Sequence, residues 1–323
     1  ADEIGTKTIA FIYSASNLVA IALYALVISP LGFAAANLAE GVRASGFWAI
    51  TRTEVLQRNG DGDAGRVLAH FSNMRQLADG AGRLFIGFIL AWLAFQGSFI
   101  LFFALSLILL VLVLSVERGK VQDLHVGISN IQRIFKPRPK TFWQAAILQA
   151  LVWLPYNMLI GFVIPVYFVA GLGLSYMETG GLLAILSLAI GGSAVLSMRW
   201  HLHKRTLLLL TLLAVPAIAV LPFAGANVLL LLLVVSLSMG ASSIIAEYIL
   251  ADQIYRSRDV STDIGMLYAP LKVAEFTFLG LGGLVIAQFG YAPLFFVCAL
   301  SIGLFALLAG RMISGGHWTK ISL

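Results

Sequence analysis

The chain has 323 residues, of which 60% are hydrophobic and only 11% charged, where soluble domains carry about 25% charged residues. A mean hydropathy of +0.94 excludes a soluble fold, because no soluble interior can hide so much apolar surface. The net charge of +6, from 21 basic and 15 acidic residues, reads in such a chain as a loop bias toward one side of a membrane rather than as affinity for nucleic acid.

In lipid every backbone N–H and C=O needs an internal partner, which leaves helices or closed barrels. The apolar runs here are continuous and near 20 residues long, so the fold class is all-α, a polytopic bundle of about ten spans. In chain order the spans run over about 8–28, 32–52, 75–94 and 98–116, then, after a polar stretch, 145–169, 179–197, 205–223, 228–250, 267–288 and 293–311. The connections alternate. Pro30-Leu31, Phe95-Gln96-Gly97, 171–178, 224–227 and 289–292 carry no Lys or Arg, whereas the others are basic. All of the 21 basic residues except Arg43, Arg83 and Lys272 fall at the basic ends. The positive-inside rule therefore predicts an even number of spans, with both termini and every basic loop in the cytoplasm.

Within the polar stretch, Val121, Leu124, Ile128, Ile131 and Phe135 recur at helical spacing and Pro137 follows. This pattern predicts an amphipathic helix on the cytoplasmic membrane surface. It divides the chain into a half at 1–116, a linker at 117–141 and a half at 142–323.

An internal repeat bears on how the spans are arranged. Gly87 falls on Gly280, Ala94 on Ala287, Gly97 on Gly290 and Phe102-Phe103 on Phe295-Phe296, all at one constant offset. With a slightly different offset Gly41 falls on Gly240 and Val55 on Ile254. Matching spans lie six apart and share orientation, which favours two parallel six-helix halves over an inverted five-helix repeat. The first, fourth, seventh and tenth spans have no charge in their interiors; the charges gather in the second, third and ninth. Ionisable residues within a membrane almost always face the bundle interior.

Here the chain resembles the major facilitator superfamily. Its opening Ala1-Asp2-Glu3-Ile4-Gly5-Thr6-Lys7 resembles the second part of that family's Gly-x-x-x-Asp-x-x-Gly-x-basic-basic motif, with Asp2, Gly5 and Lys7 in the acidic, glycine and basic places and Thr8 departing from the second basic place. The resemblance implies that the spans correspond to helices three to twelve of twelve. It also implies alternating-access transport of a small solute, with Asp2, Gly5 and Lys7 in a cytoplasmic gating motif.

No phosphate loop, His-Glu-x-x-His or Gly-x-Ser-x-Gly motif occurs, so neither enzyme chemistry, catalytic residues nor a cofactor is expected. His201 and His203 read as a solvated basic turn rather than a metal site, and Cys298 as a packing residue. Arg52 and Glu54, with Asp252, Arg256, Arg258 and Asp259, read as a mostly solvated cytoplasmic face. The Gly280–Gly283 run reads as close helix packing.

The intramembrane charges are the functional candidates. Glu40 and Arg43 are spaced i,i+3, Asp79 and Arg83 i,i+4, and Lys272 and Glu275 i,i+3, so each pair can meet on its own helix. Asp79 and Lys272 coincide under the repeat, which raises the idea of a gate between them. Arg suits carboxylate or phosphate, so Arg43 and Arg83 are expected to bind substrate together with Tyr156 and Asn157 in the kinked Trp153-Leu154-Pro155-Tyr156-Asn157 span. Glu40, Asp79, Lys272 and Glu275 are expected to serve as ion pairs or in proton coupling. The expected function is secondary transport of a small anionic or zwitterionic solute, coupled to protons, by a monomer in the cytoplasmic (inner) membrane. Its partners would be the solute, protons and membrane lipids, and not nucleic acid. The alternatives are a non-transporting assembly factor or sensor of the same fold, or a lipid flippase.

Overall fold

The structure is a computed structural model that describes residues 6–26, 32, 35–36, 38–44, 52, 64–115, 137–254 and 260–314. The described residues form helices connected by short turns. These are α1 (Thr6–Leu26), α2 (Ala64–Ser115), α3 (Lys140–Met158, continued by wider turns to Gly171), α4 (Tyr176–Arg199), α5 (Lys204–Val220), α6 (Val228–Ile254), α7 (Val260–Phe289) and α8 (Ala292–Ser314). Seven stretches among the described residues, one from each of α2 to α8, are long and apolar enough to cross a bilayer, and a shorter apolar helix covers Ala10–Leu26. The second span is described only at 32, 35–36, 38–44 and 52, all helical. The amphipathic stretch at 121–135, and Asp2 and Gly5, lie outside the described residues.

Helix α2 holds two crossings. Its 52 residues would reach about 78 Å at 1.5 Å per residue, more than twice the ~30 Å hydrocarbon core. Ala94, with φ 52° and ψ −172°, breaks it. The sequence places this turn at Phe95-Gln96-Gly97; the break instead falls one residue earlier, on a residue with a Cβ. Gly97 serves by close approach, since a Cβ there would lie 2.9 Å from Cβ of Leu93. The helix also begins at Ala64 rather than near Arg75. Its first turns carry Arg66 and His70, which lower the hydropathy, yet Leu68, Ala69, Ser72, Asn73 and Gln76 form a buried face.

The helices group into two compact units. One comprises Ala1–Gly60, Ile89–Arg138 and Ser257–Gly265; the other comprises Asp61–Phe88, Pro139–Arg256 and Met266–Leu323. In the first unit Asn17 of α1 donates to Ser106 Oγ at 2.7 Å. Arg138 donates to Asp263 Oδ1 through Nε at 2.8 Å and Nη2 at 2.6 Å. Arg52 is fully buried, which corrects the expectation of a solvated position.

In the second unit the core is built from residues such as Leu148, Met158, Phe168, Leu186, Ile190, Phe295 and Phe305. The start of α2 packs on α4 through glycines. A Cβ on Gly180 would lie 2.8 Å from Cα of Gly87, and one on Gly80 would lie 2.8 Å from Leu188 Cγ. Such small-residue contacts let helices approach closely where lipid supplies no hydrophobic drive. The glycine run of α7 packs this way only at Gly282, against Phe162, while Gly280 and Gly283 face open space. Ser175 caps α4 in a reciprocal box with Glu178, satisfying two orphan N-terminal amides. Large apolar side chains such as Trp92 and Phe276 stand exposed, as a lipid-facing surface requires.

Candidate functional site

Helix α3 organises the polar interior of the second unit, and two prolines explain how. A proline has no N–H, so within a helix it leaves a carbonyl one turn earlier without its backbone donor. Pro155 frees the carbonyl of Leu151, which accepts from Ser301 Oγ of α8 at 2.8 Å. Pro165 acts on a wider turn. Residues Leu159–Val163 form a π-turn in which the Ile164 N–H donates back to Leu159 O. The Ile160 carbonyl then loses its i+4 donor to Leu159, and its i+5 position is Pro165. It is instead bound by Arg83 Nη1 of α2 at 3.2 Å.

The Arg83 guanidinium is only partly used. Its Nε is buried without a hydrogen-bond partner. Arg75, Asp79 and Arg83, one helical turn apart on α2, are the charges that act on the Tyr156 hydroxyl. That hydroxyl is buried and has no hydrogen-bond partner. A buried polar group left unsatisfied costs roughly 1–3 kcal/mol, so such groups need a reason.

On the next face of α3, Asn157 is one residue and about 100° further round. Its Nδ2 donates to Glu275 Oε1 of α7, and Glu275 Oε2 accepts from Lys272 Nζ at 2.7 Å. Lys272, Glu275 and Asn157 therefore form a closed cluster, and Arg83 and Tyr156 an open one. Glu40 and Arg43 are in the first unit. They pair directly, with Arg43 Nε 2.7 Å from Glu40 Oε2, and Tyr13 of α1 also bonds this guanidinium. Lys7 donates to Leu114 O near the C-terminus of α2 at 2.9 Å, where a cation complements the helix dipole.

Charge-based reading of the sequence passed over three buried groups of the second unit. Gln76 is completely buried and neither amide atom has a partner. Gln149 donates to Ala246 O at 2.7 Å and accepts from Trp153 Nε1 at 2.8 Å. Glu247 is buried on α6. The available signal for Gln76 was register: Ser72, Gln76, Asp79 and Arg83 follow one another at spacings of four, three and four. No group of three or more His, Cys, Asp or Glu able to hold a metal occurs among the described residues.

A polytopic helical bundle with an ionic interior is the architecture of a membrane transporter. Residues 1–254 match the model of the Major Facilitator Superfamily, and the chain belongs to that family of transporters. The same fold is seen in the fucose:proton symporter FucP of E. coli, at 14% identity and a TM-score of 0.60 over 95% of this chain and 83% of that one. It recurs in the human organic anion transporter TETRAN, at 14% identity and a TM-score of 0.61 over 95% and 78%. A bacterial homologue of the iron transporter ferroportin, in an outward-facing state, matches at 17% identity and a TM-score of 0.60 over 97% and 84%. A search of curated proteins finds no match.

Proposed function

We propose that this protein is a proton-coupled secondary transporter of a small anionic or zwitterionic solute, working by alternating access in the cytoplasmic membrane with both termini inside. The observation that carries this reading is the half-used guanidinium of Arg83 beside the unpartnered hydroxyl of Tyr156. A permanent cation in a low-dielectric interior favours an anionic group strongly, and the Nε edge of Arg suits the two oxygens of a carboxylate. Asn157, the next residue on α3 and held by Glu275, is the further candidate for the cavity. Arg43, with Glu40 beside it, is the second candidate cation.

The moving parts are the halves at 1–116 and 142–323, joined by the linker at 117–141 and gated by Asp2, Gly5 and Lys7. Glu40, Asp79 and Glu275 are the candidate proton carriers or ion-pair partners. Asp79 and Lys272 would close one side of the pathway. The membrane lipids are its solvent and a monomer its working form.

The test is uptake into proteoliposomes of a panel of labelled organic anions and amino acids, with and without an imposed pH gradient. Uptake of an anion or zwitterion that collapses in Arg83→Ala and responds to the gradient is the expected result. Wild-type vesicles that move none of the panel, or transport that Arg83→Ala leaves intact, would overturn the reading.

A further inference from the structure

The buried polar groups of the second unit have a chemistry beyond one cation. Along α2, Ser72, Gln76, Asp79 and Arg83 share one face, and Tyr156 of α3 faces their stripe. Ser72 Oγ, both amide atoms of Gln76, Tyr156 Oη and Arg83 Nε are all buried without hydrogen-bond partners. The two helices enter from the same side, because an even number of crossings separates their starts. Tyr156 precedes Ile160 by one turn, so it stands below the Arg83–Ile160 bond, at the level of Asp79 and Gln76. Long helical side chains point back toward the N-terminus, which carries the Arg83 guanidinium toward Gln76. The distance between their Cα atoms along the axis is about 10 Å at 1.5 Å per residue.

The composition of the stripe selects a ligand. Arg75, Asp79 and Arg83 all act on the Tyr156 hydroxyl, so the stripe carries one net positive charge, and at Arg83 the Nε edge is what remains because Nη1 is committed to Ile160 O. The Lys272 ammonium is committed to Glu275, and the Asp79 carboxylate opposes a second negative charge. A dianionic phosphate is therefore a poor fit. Ser72, Gln76 and Tyr156 are neutral, and each both donates and accepts. Groups of that kind match hydroxyls, which also do both, rather than a second charge.

Resting on the transporter reading above, we propose that the solute is a polyhydroxylated monocarboxylate of about six carbons. Its carboxylate sits on the Nε edge of Arg83, and its hydroxyls are read by Tyr156, Gln76 and, at the far end, Ser72. Gln76 and Tyr156 are then the specificity-determining residues, and Arg83 the one that holds the acid group.

The experiment is calorimetric titration of the purified protein in detergent with gluconate, glucuronate and quinate, and with hexanoate, alanine and glucose 6-phosphate for comparison. At least one hydroxylated acid is expected to bind 100-fold or more tighter than hexanoate, since a site built for hydroxyls rejects the analogue lacking them. Gln76→Leu should weaken that acid by tenfold or more and leave hexanoate unchanged. Tyr156→Phe, which keeps the ring and the packing, should act in the same direction and decides the matter if Gln76→Leu does not fold. Arg83→Ala should remove both acids. The inference is overturned if none of the three hydroxylated acids outbinds hexanoate, if alanine or glucose 6-phosphate is preferred, or if Tyr156→Phe binds as wild type. Those results leave Arg83 as the acid-group anchor untouched; only an Arg83→Ala variant that still binds the acids would also sink the transporter site.

Discussion

Two prolines ten residues apart on α3 create the same vacancy in the backbone and meet different fates. The Leu151 carbonyl freed by Pro155 is closed by the hydroxyl of Ser301, a small neutral donor on the neighbouring α8. The Ile160 carbonyl freed by Pro165 is closed by the guanidinium of Arg83, a charged donor with another nitrogen buried and unpartnered. One bond uses up its donor and joins two helices. The other orients a cation without exhausting it. The proline device is common to both; what differs is the capacity left over on the donor, and that difference separates a structural lock from a binding group.

The largest effect expected from breaking this contrast is at Arg83. Arg83→Ala removes the carbonyl's partner and the cation together, and transport in proteoliposomes should fall by about 100-fold or more, the scale of losing a charge-assisted contact and leaving its partners buried. Arg83→Lys separates the two roles. An ammonium can still reach a carbonyl but has no planar fork, so a substantial loss should persist. Full activity in Arg83→Lys would show that charge alone, and not the oriented edge, is what matters.

Pro165→Ala is the sharper and smaller perturbation. It restores a backbone N–H that can compete for the carbonyls of Ile160 and Gly161, so Arg83 loses its exclusive claim on Ile160. The cation remains but is less fixed. A hydrogen bond from a charged group is worth about 1.5–3 kcal/mol, so KM should rise roughly tenfold while kcat changes less. An unchanged KM would mean that Ile160 O does not position Arg83.

Much of this was legible in the sequence, and the rest was hidden for identifiable reasons. The apolar runs marked the helices because lipid leaves no other way to satisfy a backbone. The first turns of α2 escaped because Arg66, His70 and Arg75 break the hydropathic run, although Leu68, Ser72, Asn73 and Gln76 are buried there. Arg83, Tyr156, Asn157 and both prolines stood out by charge or by composition. Ile160 could not, because a backbone acceptor leaves no trace in its side chain. Gln76 was overlooked because a neutral amide adds nothing to a search for charges, even though it keeps register with Asp79 and Arg83. Pairing was only half legible: Lys272 with Glu275 follows from i,i+3 spacing, whereas Asn157 with Glu275 depends on how α3 and α7 pack.

The smallest effect belongs to the structural member of the pair, and it is the one that makes the contrast a test rather than a description. Ser301→Ala leaves Leu151 O without a donor in a buried position. The expected cost is about 1 kcal/mol, in the range of a single neutral hydrogen bond, read as a few degrees in the melting temperature of the detergent-purified protein. Transport per folded molecule should stay at the wild-type level, because Ser301 holds α8 to α3 and carries no charge toward a solute. The comparison with Pro165→Ala is then decisive. Each variant disturbs one of the two proline-freed carbonyls, but one should move the melting temperature with KM constant and the other KM with a smaller change in melting. If Ser301→Ala raised KM as much as Pro165→Ala does, the Leu151 carbonyl would be no more structural than the Ile160 carbonyl, and the kind of donor that closes each would not be what assigns their roles.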